Sequence, residues 1–251
     1  MHPRNPHVCR SPLRADVCTW CKHFLQAPTV HANFRFFEVV STHPETGKEH
    51  TEWWFGGGAD LTPNYLYEED AVHFHSAMKA GCDAGGKADF YPRFKAWCDK
   101  YFFIKHRDEC RGVGGIFFDD MDSSEGTQGE MFDFVKTVGV RFTDLQQQRH
   151  EHRNIFFAQS HFVPAYLPIL KKRMGATYTQ DEVDWKRLRG GRYTEFNLVH
   201  DRGTKFGLAT PGARIESILM SLPLHADWKY CHEVRDLIPQ PSKALKLSPT
   251  H

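Results

Sequence analysis

Residues 30 to 40 read VHANFRFFEVV. At a period of two, His31, Asn33 and Arg35 fall on one face of a strand, with Phe34 and Phe36 on the other. A turn-like segment, His43 to Lys48, separates this stretch from WWFGGGADLTP, whose triple glycine, Gly56 to Gly58, permits backbone conformations closed to other residues. Glu68 to Cys82 predicts a helix, with acidic residues in its first turn and Gly85 and Gly86 shortly beyond. Tyr91 to His106 predicts a second, in which Phe94, Trp97, Tyr101 and Ile104 recur every three or four residues as an apolar stripe. Arg111 to Asp122 predicts a turn and then a buried strand. Val163 to Met174 predicts a helix opened by Pro164 and closed by Lys171, Lys172 and Arg173. Tyr193 to Val199 alternates as a strand again, followed by an Asp201-Arg202-Gly203 turn and a short strand from Lys205 to Ala209. Strand and helix signals mix without a regular βαβ rhythm, which favours an α+β fold over a doubly wound one. No internal repeat or long linker divides the chain, so residues 1–251 read as a single domain.

Composition narrows the functions available. Lys and Arg number 32 against 31 Asp and Glu, so no overall basic field draws the chain to nucleic acid or to an anionic membrane. An acidic ligand must therefore be met by locally placed cations. Aromatic residues make up 14%, including 20 Phe, which points to a core rich in rings. No apolar run approaches the length of a membrane span, and Met1 to Arg10 lacks the apolar region of a signal peptide. Seven cysteines in no regular framework point to a reducing compartment, and the expectation is a soluble cytoplasmic protein.

Three polar groups on one strand face are costly to bury without partners, so His31, Asn33 and Arg35 either face water or line a ligand cleft. Arg suits a carboxylate because its planar fork meets two oxygens, and His moves protons near neutral pH. Asp60 follows the triple glycine; it either approaches a ligand closely or serves a turn. His73, His75 and His106 invite a metal reading, although side chains two apart on a helix do not face each other. A 2-His-1-carboxylate iron site stays open on spacing. Cys18 and Cys21 form a CxxC near Cys9 and His23, like half of a zinc site or a redox pair, with no second CxxC to complete the zinc site. GVGG and GGGAD lack the strand, GxGxxG and helix context of a dinucleotide site, and neither a P-loop nor a GxSxG elbow occurs. This favours chemistry done by substrate, oxygen and side chains.

A set of longer blocks carries a family resemblance. HPRNP (His2 to Pro6), PTVHANFRFFEV (Pro28 to Val39), WWFGGGADLTP (Trp53 to Pro63), EEDAVHFH (Glu68 to His75), YPRFKAWCDKYFFIKHR (Tyr91 to Arg107), RGVGGIFFDD (Arg111 to Asp120) and the run from Arg189 to Pro223 resemble, in order, the signature blocks of the oxygen-dependent, cofactor-free coproporphyrinogen III oxidases. The resemblance implies a large antiparallel β-sheet flanked by α-helices on both faces, and a homodimer. It implies the O2-dependent oxidative decarboxylation of two propionates of coproporphyrinogen III to protoporphyrinogen IX, a step in haem and porphyrin biosynthesis, with no organic cofactor. Carried over by motif, His31 is the proton donor, Asp60 the carboxylate that meets the pyrrole nitrogens, and Arg35 a catalytic arginine. Asn33, Phe34 and Arg35 form one substrate-contacting segment, and Gly212, Ala213 and Arg214 a second. Arg35 and Arg214 are the foremost partners for substrate carboxylates, with Arg192 and Arg202 behind them. His2, His31, His75 and His106 correspond to divalent-metal ligands described in bacterial members. Members occur in the cytosol, the mitochondrial intermembrane space and plastids.

The chain also departs from that pattern. Residues 8–26 interrupt the run from HPRNPH into APTVHANFR, and residues 140–159 interrupt the approach to FVPAYLP. Both interruptions begin with Val and end with Gln, and removing each restores the family spacing, as expected of introns translated in frame. The resemblance fades after His232, and the tail from Val234 reads as a third such segment. The domain is thus expected to be incomplete at both ends. A non-catalytic truncated or mis-spliced homologue, and a metal-dependent oxygenase that uses the histidines, are the alternatives to the oxidase reading.

Overall fold

The computed structural model describes residues 8–9, 26–139 and 161–231. Its sheet has four strands in the order β1 (Val8–Cys9), β2 (Thr29–Thr42), β3 (Glu49–Thr62) and β6 (Gly114–Met121), each antiparallel to its neighbour. A separate two-stranded ribbon pairs β4 (Phe103–Ile104) with β5 (Glu109–Cys110). The helices are α1 (Glu68–Gly85), α2 (Phe90–Tyr101), α3 (Gln128–Val138), α4 (Phe162–Arg173), α5 (Gln180–Glu195), α6 (Arg202–Ala209) and α7 (Ile215–Leu219), with a π-helical turn, Phe196–His200, continuing α5. The expected α+β class holds.

The central hairpin follows from the sequence pattern. His43 accepts from the Gly47 N–H and donates to the Lys48 carbonyl, closing the turn that returns β2 alongside β3. Registration then runs from Thr29 against Thr62 to Thr42 against Glu49, with His31 opposite Asp60 and Arg35 opposite Gly56. One face carries Val30, Ala32, Phe55, Ala59, Leu61, Ile116 and Phe118 into the main core. That core is completed by α1 (Phe74, Met78), α2 (Phe90, Phe94), α3 (Phe134, Val138) and α4 (Phe162, Tyr166). Its centre is a ring cluster: Phe134 sits 4.9 Å from Phe90, 5.8 Å from Phe94 and 5.4 Å from Phe118. Phe117 points the other way and joins Phe102, Ile104, Cys98 and Phe196, so the π-helical turn that extends α5 covers part of the opposite face. Helices therefore flank both faces.

Three expectations change. The second helix ends at Tyr101 rather than His106, because the Phe102 N–H closes on the Cys98 carbonyl and the chain turns into β4. Its buried stripe is Phe90, Phe94 and Cys98; Trp97 is 45% exposed, and Ile104 is buried from a strand instead. The stretches from Tyr193 to Val199 and from Lys205 to Ala209 are helical, not strands. A Thr179/Glu182 capping box starts α5 well upstream, and the Asp201 carboxylate caps α6 by accepting from the Thr204 N–H at 2.6 Å. The short alternation at Tyr193 was the local echo of a longer helix whose buried side chains include Trp185, Leu188 and Tyr193.

Removing the Phe134 ring would leave a cavity among three other rings. Phe134→Ala should destabilise the chain by about 3–5 kcal/mol in urea unfolding; a loss below about 1 kcal/mol would contradict the assigned core.

Candidate active site

The face of the sheet opposite the main core carries a row of hydrogen-bonded polar groups. Arg35 Nη1 donates to Asn33 Oδ1 at 3.0 Å, and Asn33 Nδ2 lies 3.3 Å from His31 Nε2. His31 Nδ1 lies 3.2 Å from Asp60 Oδ1, and Arg111 Nη2 donates to Asp60 Oδ2. The donors fix the sense of this row. Arginine can only donate, so Asn33 turns its oxygen to Arg35 and its amide N–H to His31 Nε2; His31 then donates from Nδ1 to Asp60. The strand register makes the row possible, because residues two apart on β2 share a face and His31 stands directly opposite Asp60.

Asp60 is 3% exposed and Arg111 2%. Burial alone would raise the Asp60 pKa, but the Arg111 charge and the His31 hydrogen bond outweigh it and hold the carboxyl below its usual value. Arg35 is more open. Its Nη2 forms an ion pair with Asp119 Oδ1 at 3.2 Å, yet has no hydrogen-bond partner among the described residues.

The glycines of β3 shape the surface. Arg35 on β2 meets Asp119 on β6 across the intervening strand, at Gly56. A Cβ there would stand 2.5 Å from Asp119 Oδ1 and 2.7 Å from Arg35 Nη2. Gly57 faces the core instead, where a Cβ would come within 2.9 Å of the Phe34 and Phe118 rings. The middle of β3 thus carries no side chain on the polar face. Beyond Arg35, Phe37 stacks on Trp54 at 5.0 Å, closing that end with a flat apolar surface.

The structure brings together His31, Asn33, Arg35 and Asp60. Phe34 packs toward the core, beside Gly57 and Gly139, and is not part of the row. Gly212, Ala213 and Arg214 form the turn between α6 and α7, with Gly212 at φ +76° and Arg214 exposed. No hydrogen bond or ion pair among the described residues joins this turn to the sheet face. Arg192 pairs with Glu109 at 3.4 Å, and Arg202 lies over the Tyr101 ring at 5.5 Å. Arg111, absent from the sequence candidates, is the strongest ion-pair partner in the site. Its signal was confined to the block RGVGGIFFDD, where nothing local marks it as different from a turn arginine.

The histidines do not assemble. His2 lies outside the described residues. His75 on α1 donates from Nε2 to the Val113 carbonyl at 3.0 Å and accepts from the Tyr91 hydroxyl at Nδ1, 3.1 Å away; burial pushes its pKa down. His73 contacts the Pro164 carbonyl at 3.0 Å. His106 lies 3.0 Å from both Glu195 Oε2 and His200 Nε2. No group of three or more His, Cys, Asp or Glu side chains is placed to hold a metal among the described residues. Of the set that the resemblance implied, His31, His75 and His106 are described, and they do not come together. The CxxC, most of residues 8–26 and all of residues 140–159 lie outside the described residues; within the first, Val8 and Cys9 pair with Val40 and Val39.

Comparison with known proteins follows the same lines. The family model for coproporphyrinogen III oxidase matches residues 23–246, a span that includes most of the tail from Val234. The chain belongs to the coproporphyrinogen III oxidase family. It is 48% identical over 233 residues to the oxygen-dependent coproporphyrinogen-III oxidase of Drosophila melanogaster, covering 93% of this chain and 48% of the relative. It is 48% identical over 232 residues to the mitochondrial enzyme of Homo sapiens, covering 92% of this chain and 41% of the relative. The chloroplastic coproporphyrinogen-III oxidase 1 of Arabidopsis thaliana is 45% identical over 93% of this chain and 49% of its own length. The chain therefore spans about half the length of these curated relatives. Among the described residues, no helix is long and apolar enough to cross a membrane.

Outside the sheet face, Glu195 is the most heavily paired carboxylate. It accepts from Arg107, His106 and Trp228, the last at 2.9 Å. Burial pushes its pKa up, but the Arg107 and His106 hydrogen bonds prevail and bring it from 4.5 to about 2. A depressed carboxylate contributes stability that is present above its unfolded pKa and lost as the pH falls through the folded one. Below about pH 4.5, the melting temperature of Glu195→Gln should therefore fall less steeply with acid than that of the wild type; parallel curves would contradict the pairing.

Proposed function

We propose that this chain binds coproporphyrinogen III on the polar sheet face and carries out the O2-dependent oxidative decarboxylation named by its relatives. The observation that carries this reading is the buried carboxylate of Asp60, paired with Arg111, on a face where Arg35 is partly exposed and β3 carries no side chain at its middle. A porphyrinogen presents pyrrole N–H donors at its centre and carboxylates at its rim. Asp60 supplies the central acceptor and Arg35 receives a propionate. One charge-assisted bond of this kind contributes roughly 1.5–3 kcal/mol, enough to select which propionate lies nearest the reactive zone. The Phe37–Trp54 stack gives the macrocycle an apolar edge to lie against.

In each decarboxylation a propionate arm loses CO2, one proton and two electrons to become a vinyl group. O2 takes up the two electrons, that proton and one more from solvent to give hydrogen peroxide. The protein orients the ring, excludes water and handles protons beside His31, whose ring lies next to Asp60. Asp60→Ala should lower turnover of coproporphyrinogen III at least ~100-fold, and Arg35→Ala should act mainly through KM. Near-normal turnover in Asp60→Ala would sink the assignment. A folded wild-type chain that binds the porphyrin without turnover would favour the non-catalytic alternative.

The organelle names of the human and Arabidopsis relatives support a mitochondrial or plastid destination over the cytoplasm for the complete protein. A homodimer is the assembly this reading includes. Large apolar side chains stand exposed along the last described third, among them Phe206 at 76%, Leu224 at 80% and Trp228 at 54%, and neither α6 nor α7 buries a residue. Such a surface is unusual on a monomer. Sedimentation at micromolar concentration should give a dimer that Phe206→Glu weakens; a monomeric wild type would refute it.

A further inference from the structure

Arg111 is among the largest fully buried side chains of the molecule. It lies in the turn between β5 and β6, and the backbone holds it on both sides. Its N–H donates to the Phe102 carbonyl at 3.1 Å, and its own carbonyl accepts from Arg189 Nη2 at 3.2 Å. Three rings wall the guanidinium, whose central carbon lies 3.9 Å from the Phe102 centroid, 4.7 Å from Tyr193 and 5.0 Å from Phe196. Its one ion-pair partner is Asp60, and its Nε has no hydrogen-bond partner among the described residues. A cation among ring faces is favourable for either base, but only the planar guanidinium can also stack on them and fork toward a carboxylate.

Two consequences follow. First, the Asp60 carboxylate is gripped at both oxygens, Oδ2 by Arg111 and Oδ1 by His31. The terminal torsion of an aspartate is broad, so a single partner would leave the carboxylate plane poorly fixed, whereas two partners set it. Second, Arg111 cannot turn toward a ligand's carboxylate without leaving its ring cage. Arg35, which is partly open, is free of that restraint.

The geometry assigns Arg111 as the positioning residue of the site. It sets the plane of the Asp60 carboxylate toward the ligand, and its cage keeps it from competing with Arg35 for ligand carboxylates. This rests on the functional reading above, in which Asp60 meets the pyrrole N–H groups.

A double-mutant cycle separates action through Asp60 from a merely structural role. Arg111→Lys keeps the charge but loses the planar fork; it should lower kcat at least ~10-fold while KM stays within about 3-fold. In an Asp60→Asn background the same substitution should have no further effect. Equal losses in both backgrounds would overturn the assignment. Arg111→Gln, which keeps an N–H donor and fits the cage without a charge, is run beside it in case the lysine variant does not fold.

A wild-type chain that neither turns over nor binds the porphyrin would refute the functional reading alone. The inference would then be decided in the ligand-free protein, from the ring N–H proton of His31 that bonds to Asp60. This resonance should be present in the wild type and lost in Arg111→Lys and Arg111→Gln. Its persistence in both would overturn the positioning role.

Discussion

The ion pair between Arg111 and Asp60 is the constraint around which the site is built. Both partners are out of water, and a buried pair of this kind leaves little net stabilisation once desolvation is counted. Breaking it by removing one partner is another matter, typically about 3–5 kcal/mol, because the remaining charge has nowhere to go. The arrangement therefore contributes less to the depth of the fold than to its uniqueness at this point. The Asp60 backbone is held between His31 on β2 and Gly115 on β6, and its side chain between His31 and Arg111. The rings that enclose Arg111 come from two regions distant in sequence, Phe102 at the end of α2 and Tyr193 with Phe196 on α5 and its π-helical continuation, so the carboxylate is well oriented only when those regions have packed.

From that fixed point the rest of the polar face extends in one direction. His31, Asn33 and Arg35 follow at alternate positions of one strand, and Arg35 reaches β6 across a strand reduced to glycine. The two ends of the row differ in burial, Asp60 being enclosed and Arg35 partly exposed, with the buried Asn33 linking His31 to Arg35. An anionic acceptor at one end and a partly exposed cation at the other suit a ligand with N–H groups at its centre and carboxylates at its edge. The opposite face of the same strands is filled by Phe, Val and Leu, so the ring-rich core and the polar row are two consequences of one alternation.

That alternation is why so much of the site was legible. A period of two over VHANFRFF separates the polar from the apolar face with no further information, and the glycine run opposite it reads as space for close approach. Asp60 was visible because it adjoins that run. Arg111 was not, because its role depends on Phe102, Tyr193 and Phe196, and no local pattern records which rings will meet over a turn. The same limit explains the helices taken for strands. Tyr193 to Val199 alternates over too short a window, while the capping residues that set α5, Thr179 and Glu182, lie well upstream. The end of α2 was also hidden, since Phe102 to Ile104 continue an apolar helical pattern until β5 offers them a partner strand. The histidines are a separate case: the resemblance supplied that set, and among the described residues His75 and His106 each find other partners.

The most direct measurement is a crystal structure of the chain with coproporphyrin III bound. The account requires the Asp60 carboxylate within about 3 Å of the central pyrrole nitrogens, a hydrogen-bonding distance. It also requires Arg35 on a propionate and Arg111 still beneath the rings of Phe102, Tyr193 and Phe196. A macrocycle seated away from the His31 to Arg35 row, or an Arg111 withdrawn from Asp60 to take a propionate, would contradict it.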